Sequence, residues 1–420
     1  MRIARALVMI AASLTLASAQ QAPPDSHAPV GVVEGDTLAR LGVTPADVRL
    51  AEVNPSVRYS GLTKFVDRTR TAVTGTFDDS NRAVLKTIDT LDAYGIKATL
   101  AISTQSGAIA ELWPRLGAAV ANGHEIGSHA RRHLCQWPDT ETFCRSAYSR
   151  DEVEGSRDDI VARTGQRYVW TWVYPCGNCA DYEFVHERLR RAGYLVARTY
   201  PDERRGGHIV PDLQSWAADP YRAAYTQVVQ RQGGIAPAGR TDVALLNRKF
   251  DDIHPALTEE GGRQGAGGGR GRGAAPSAEG GIYHLVSHPS LLDFGQEQFF
   301  EKHLAYIGNR PDVWYVPLGP LYAYQIVREN TVVTPLGPKQ GWERFAVHNT
   351  LDPKVYDNVV TLTFVVPAAS AVSVRVGGRA VQEKTSKLTD RWNVEYYRRD
   401  DTSTFVTVRP NQIVEVRVVE

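Results

Sequence analysis

The sequence predicts an α/β domain, built as a parallel sheet or a β/α barrel, followed by a separate all-β sandwich domain. Three observations predict it. From Thr71 to about residue 330, short apolar runs of strand length alternate with single stretches of helical periodicity. From about Thr331 that alternation gives way to β-rich runs separated by Gly, Pro, Asp and Asn clusters. Asp78, Asp79, His129 and Pro175 all fall at carboxyl ends of the predicted strands, where such folds gather their chemistry.

Residues 1–19 carry Arg2 and Arg5, an apolar run from Ala6 to about Leu16 and a small-residue ending at Ala17-Ser18-Ala19. That is a secretory signal peptide, too short to span a bilayer, and it places the protein in the periplasm or outside the cell. Residues 20–66 start Pro-rich and read as an arm wrapping the next domain. The α/β domain occupies 67–330. Val73 to Phe77 is a buried strand; Ser80 is the expected N-cap of a helix that buries Val84, Ile88 and Leu91 and stops at Gly95. Ala98 to Ile102 is the next strand, and a helix burying Ile109, Leu112, Trp113 and Leu116 ends at Asn122-Gly123. Extended chain resumes at His124 to Ser128. A helix near 150–162, a strand at 168–174, a helix at 181–191 and a strand at 195–199 follow. Residues 259–281 form a Gly-rich insert whose arginines are offset by Glu259, Glu260 and Glu279, with no aromatic to stack a base. It reads as a flexible surface loop. Ile282 to His288, a helix over 296–307 and a strand over 313–316 feeding 318–328 complete the domain. The sandwich occupies 331–420, with Trp342 and Trp392 read as core rather than as a sugar site.

Charged residues make up 23% of the chain, and loss of Arg2 and Arg5 with the signal takes the formal charge from +1 to −1. Bulk charge therefore gives no nucleic-acid partner, and no later run is long enough for a membrane span. The oligomeric state is not written in the sequence. Export puts Cys135, Cys144, Cys176 and Cys179 in an oxidising setting that favours disulfides, with three pairings open; zinc held by all four thiolates is the rival.

Asp78-Asp79 closes a buried strand, and His129 and His133 are four apart, the spacing that puts two imidazoles on one side of a helical turn. One carboxylate and two imidazoles make a divalent-metal site with an open position, leaving the other carboxylate as a base towards water there. Zinc fits such a donor set best, and cobalt or nickel is also accepted. His284 shares a strand face with His288 by parity and reads as structural.

Taken together, Thr76-Phe77-Asp78-Asp79, the run His124 to His133, Tyr174-Pro175-Cys176-Gly177 and Leu285-Val286-Ser287-His288 resemble the polysaccharide deacetylases of carbohydrate esterase family 4, the NodB-like homology domain, over roughly 67–330. The resemblance implies a distorted (β/α)7 barrel that removes N- or O-linked acetyl groups from an acetylated glycan. It implies Asp78 as general base, Asp79, His129 and His133 as metal ligands, the Cys176 N–H as oxyanion donor and His288 as general acid. Trp216, Tyr174 and Pro175 are implied beside the substrate. Two departures stand out. Ala130 replaces a Ser or Thr, and the arginine that holds the catalytic aspartate is Val173 here. Arg131 or Arg132 is the nearest candidate replacement in sequence, although solvated surface arginines are the plainer reading of both. The departures keep two rivals open, a non-catalytic glycan-binding relative and a metal hydrolase of non-sugar amides or esters.

Overall fold

The computed structural model describes residues 36–48, 56–106, 108–199, 216–224, 227–229, 242–254, 280–368, 370–385 and 393–419. The expected signal peptide, Trp392 and all but the last two residues of the Gly-rich insert lie outside them. Within the arm, β1 (Arg58–Leu62) is the one strand before the barrel among the described residues.

Eight parallel strands follow: β2 (Thr71–Asp78), β3 (Thr99–Ile102), β4 (Glu125–Ser128), β5 (Thr171–Val173), β6 (Val196–Arg198), β7 (Gln227–Val228), β8 (Ile282–Ser287) and β9 (Val313–Tyr315). They form one sheet in the order β6-β5-β4-β3-β2-β8-β7, with β9 pairing the start of β2. Seven strands on that path, with helices between them, make a distorted β/α barrel. The segment after β6 reaches both ends of it: Ala223 exchanges backbone bonds with Ala197 and Thr199 on one side, and Val229 donates to Val286 on the other. Every residue of β2 is buried, as a central parallel strand covered on both faces must be.

The base of the barrel is closed by a buried carboxylate. Glu125 accepts from the Thr99 hydroxyl (2.7 Å), the Thr171 hydroxyl (2.8 Å) and amide (3.2 Å), and the Gly319 amide (2.9 Å). Gly319 lies in the first turn of helix Leu318–Asn330, so Glu125 satisfies one of that helix's orphan donors and meets the positive end of its dipole. A Cβ on Gly319 would come 2.1 Å from the Glu125 carboxylate, which is why only glycine serves there.

The sandwich pairs one antiparallel sheet, β1-β12-β16-β15, with another, β10-β11-β17-β13-β14. Its strands are β10 (Val332–Lys339), β11 (Trp342–His348), β12 (Val360–Val365), β13 (Ala371–Val376), β14 (Arg379–Ala380), β15 (Tyr396–Arg399), β16 (Ser403–Val408) and β17 (Gln412–Val419). Phe345, Phe364, Val374, Val406 and Val416 fill its core, and Ala323 and Val327 of helix Leu318–Asn330 enter the same cluster. A buried Asp67–Arg398 ion pair adds a polar tie between the two halves.

Three expectations change. The arm's strand belongs to the sandwich, where it covers the edge of β12 that would otherwise be open to pairing. The β10–β11 hairpin escapes the sequence reading because Pro335, Gly337 and Pro338 disguise a strand; its turn carries left-handed Gln340 and Gly341. Ser80 does not cap a helix: its hydroxyl accepts from the Ser103 amide and donates to the Ser103 carbonyl, and the N-cap position of helix Ala83–Ala93 is held by Arg82. Trp342 is core, buried with Arg375 and Arg417 over its ring at 4.3 and 4.5 Å.

His303 supplies a pH test of this core. Its ring meets Asn247 Oδ1 at 2.8 Å and the Tyr283 hydroxyl at 3.0 Å, and burial drives its pKa from 6.5 to about 3. The unfolded chain takes up a proton that the native ring refuses, so this group's contribution to stability is lost as pH falls from about 6.5 towards about 3. His303→Gln, neutral throughout, is expected to flatten the pH dependence of unfolding free energy by about 1.4 kcal/mol per pH unit in that window. Equal slopes for the two proteins would contradict the assignment.

Candidate active site

Parallel strands put their carboxyl ends on one rim, and the named groups meet there. β2 ends at Asp78, β4 leads into His129, and β8 leads into His288; Phe77 and Ser287 are register partners, which sets His288 beside the Asp78 position. Asp79 leaves β2 with φ +80°, turning its carboxylate away from that of Asp78. The helical turn expected for His129 and His133 is absent. A loop with left-handed Ala130 (φ 62°) and His133 (φ 55°) brings the rings together instead, with centroids 4.5 Å apart.

The loop is held from three directions. Ser103 Oγ donates to the His129 carbonyl (2.8 Å) and the Gln105 amide to the Arg131 carbonyl (2.8 Å). Fully buried Glu152 accepts from the Arg131 and Arg132 amides at 2.9 and 3.1 Å and pairs with the Arg132 guanidinium. Arg131 is bonded to Asp159 and Asp151. Both arginines are thus committed to the helix Arg150–Thr164, and neither is the cation that Asp78 needs.

That cation is Arg198, which no sequence motif singled out. Its guanidinium bonds both oxygens of Asp78, and both side chains are buried. Val173 and Arg198 are register partners on β5 and β6, so the charge missing from one strand stands on the next at the same height. Burial pushes the Asp78 carboxyl up, but the Arg198 guanidinium bonded to it outweighs burial and holds the carboxyl below its usual range. The only advance signal was a charged residue inside the apolar run 195–199.

Asp79 Oδ1 lies 3.9 Å from His129 Nε2 and 3.7 Å from His133 Nε2, and the donors of all three fall within 4.8 Å of one another. A tetrahedral ion with bonds of ~2.0–2.2 Å separates its donors by about 3.3–3.6 Å, so the two distances from Asp79 exceed what one shared ion requires by only a few tenths of an ångström. His129 Nδ1 donates to the Val173 carbonyl (2.8 Å), which leaves Nε2 with its lone pair towards Asp79. Burial, then the neighbouring His133 charge, lowers the His129 pKa to about 3, keeping the ring neutral as ligation requires.

Cys176 occupies a left-handed position (φ 53°) in the turn Pro175–Gly177 after β5. Its sulfur is bonded to Cys135, and Cys144 is bonded to Cys179. This overturns the four-thiolate zinc reading, because every sulfur already has a partner. Tyr174 and Pro175 are buried, and the Tyr174 hydroxyl donates inward to the Tyr221 carbonyl (2.9 Å). Trp216 packs with Phe65 and Tyr322, at 5.9 and 5.6 Å between ring centres, in clusters with Trp314 and Leu318 and apart from the core that holds Phe77 and Ile126. His284 is buried between Thr76 Oγ1 (3.1 Å) and the Ala224 carbonyl (2.9 Å), a structural place.

Residues 66–197 match the polysaccharide deacetylase family. The deacetylase match holds Asp78, Asp79, His129, His133 and Cys176, and it stops one residue before Arg198. Solved structures similar to the chain include a polysaccharide deacetylase from Bacillus cereus, at 12% identity over 59% of this chain and 92% of that one (TM-score 0.34). A family 4 carbohydrate esterase from Streptomyces lividans matches at 13% over 57% and 86% (TM-score 0.32). Puue allantoinase matches at 14% over 61% and 90% (TM-score 0.40). All three scores are below 0.5, so these likenesses carry no argument, and the family match covers residues 66–197 alone. No curated protein matches the chain.

The Asp78–Arg198 assignment predicts a titration. Arg198→Met removes the cation and leaves burial to dominate, so the Asp78 carboxyl followed by carbon-13 NMR is expected to titrate above the ordinary value of ~3.9 instead of below it. An unchanged titration would show that another group holds this carboxylate. Glu152→Ala is expected to free the ligand loop and weaken zinc binding roughly 10–100-fold in a chelator competition, the scale seen for groups that orient ligands.

Proposed function

We propose that the barrel hydrolyses acetyl groups from an acetylated polysaccharide or amino sugar, using a divalent ion, zinc before cobalt or nickel, on Asp79, His129 and His133. The observation that carries this reading is the pairing of a complete Asp-His-His donor set with a second, arginine-held carboxylate on the adjoining residue. When bound, the ion supplies Lewis acidity that polarises the acyl oxygen and acidifies water. Asp78, kept ionised by Arg198, accepts the proton of the attacking water. The Cys176 N–H donates to the oxygen on which charge develops, and the fixed turn spends no reorganisation in doing so. His288 returns a proton to the departing amine or alcohol. Tyr174 and Pro175 then act from behind the rim, as buried packing that fixes the turn carrying the Cys176 N–H, while Trp216, packed against Phe65 and Tyr322, takes no part in holding the acetyl group.

Arg198 also removes the reason for preferring a non-catalytic glycan binder, which was the missing motif cation. Export through residues 1–19 agrees with two disulfides and with a chain in which no described helix is long and apolar enough to cross a membrane. The test is acetate release from N-acetyl chito-oligosaccharides and acetylated xylan by zinc-loaded protein. Asp78→Asn is expected to lower kcat roughly 10²–10⁴-fold, and chelation to abolish turnover until an ion is returned. No acetate from any glycan in the panel would overturn the proposal.

A further inference from the structure

We propose that Cys135, Cys176 and His133 form a second, latent metal site of soft donors that the Cys135–Cys176 disulfide masks and that a dithiol reductant uncovers. The donor atoms of these three residues lie within 4.8 Å of one another, and Cys135 Sγ is 3.6 Å from His133 Nδ1. The two Cα atoms are 6.0 Å apart, so once the 2.07 Å bond is broken, side-chain rotation alone can part the sulfurs. A tetrahedral zinc with Zn–S of ~2.3 Å needs them about 3.8 Å apart. Two thiolates and an imidazole form a set that zinc and cadmium favour over one carboxylate and two imidazoles.

Access separates the two disulfides. Cys135 and Cys176 are both exposed, whereas Cys144 and Cys179 are fully buried. A dithiol in solution therefore reaches the first pair: its thiolate attacks one sulfur, its second thiol displaces the mixed disulfide, and it leaves as a cyclic disulfide. Two electrons and two protons pass to Cys135 and Cys176, and the arriving ion expels those two protons as the thiolates bind it.

His133 belongs to both donor sets through different nitrogens, Nε2 towards Asp79 and Nδ1 towards Cys135. A neutral imidazole has one lone pair, the other nitrogen carrying the proton, so the ring serves one site at a time. An ion in the sulfur site thus takes a ligand from the Asp79 site; this consequence for turnover rests on the function proposed above, whereas the sulfur site itself does not.

The test uses cadmium as the probe on the full chain, with thiolate-to-metal charge-transfer absorption as the readout, so it is independent of any hydrolysis. Reduced wild-type protein is expected to develop the band and oxidised protein to lack it. C135S/C176S is expected to lose the band after reduction, and C144S/C179S to keep it. No band in reduced wild-type protein, or a band that survives in C135S/C176S, would overturn the proposal. Should C135S/C176S fail to fold, reduced H133A decides instead: cadmium affinity falls if the imidazole is a ligand, and unchanged affinity contradicts the site. If the protein releases no acetate yet shows the band, the function fails and the latent site stands.

Discussion

A buried ion pair between Asp78 and Arg198 is the constraint on which the rim of this barrel depends. Two adjacent carboxylates at the end of a fully buried strand repel one another, and the buried one, Asp78, would be pushed towards its protonated form without a cation. Splitting them resolves the conflict. The left-handed turn at Asp79 sends one carboxylate to the half-exposed histidine loop, and the guanidinium of Arg198 neutralises the other inside the barrel. The pair is not an argument for high stability, since desolvating two charges offsets much of their attraction. What it fixes is which aspartate is held inside the barrel, where it points, and which is left to ligate.

Around it, three residues with chemical roles, and Ala130 in the loop between two of them, have unusual backbone. Asp79, Ala130, His133 and Cys176 all adopt positive φ without being glycine, each a conformation that costs about 1–3 kcal/mol where nothing supports it. Support is visible in every direction: Ser103 and Gln105 beneath the loop, Glu152 at its two arginine amides, and the disulfide joining the segment after His133 to the Cys176 turn. The disulfide has a double character, bracing the turn while holding its own sulfurs out of coordination chemistry.

Much of this was legible in the sequence because it is local. Alternation of strand and helix gave the barrel, the break at about Thr331 gave the sandwich, and Asp78, Asp79, His129 and His133 were found from residue type and spacing. What stayed hidden is what only three-dimensional neighbours decide. A search for the missing cation near its usual strand stops at Val173, and the basic residues closest to the histidines, Arg131 and Arg132, turn out to serve Glu152, Asp151 and Asp159. The replacement sits on the adjacent strand, 25 residues further along the chain but at the same register. The histidine spacing was right for the wrong reason, since a loop rather than a helix brings the rings together. The arm's partnership with β12, and the β10–β11 hairpin behind its prolines, were likewise settled by pairing and not by pattern.

Since the account turns on one pair, a double-mutant cycle tests it most directly. Unfolding free energies of metal-free wild-type, Asp78→Asn, Arg198→Met and the double variant give the coupling without reference to catalysis. Each single change strands a buried charge and is expected to cost about 3–5 kcal/mol, while the double variant, with neither charge left, is expected to be more stable than the sum of the two predicts by several kcal/mol. Additive losses would contradict the account, because they would mean that the two side chains are held by other partners.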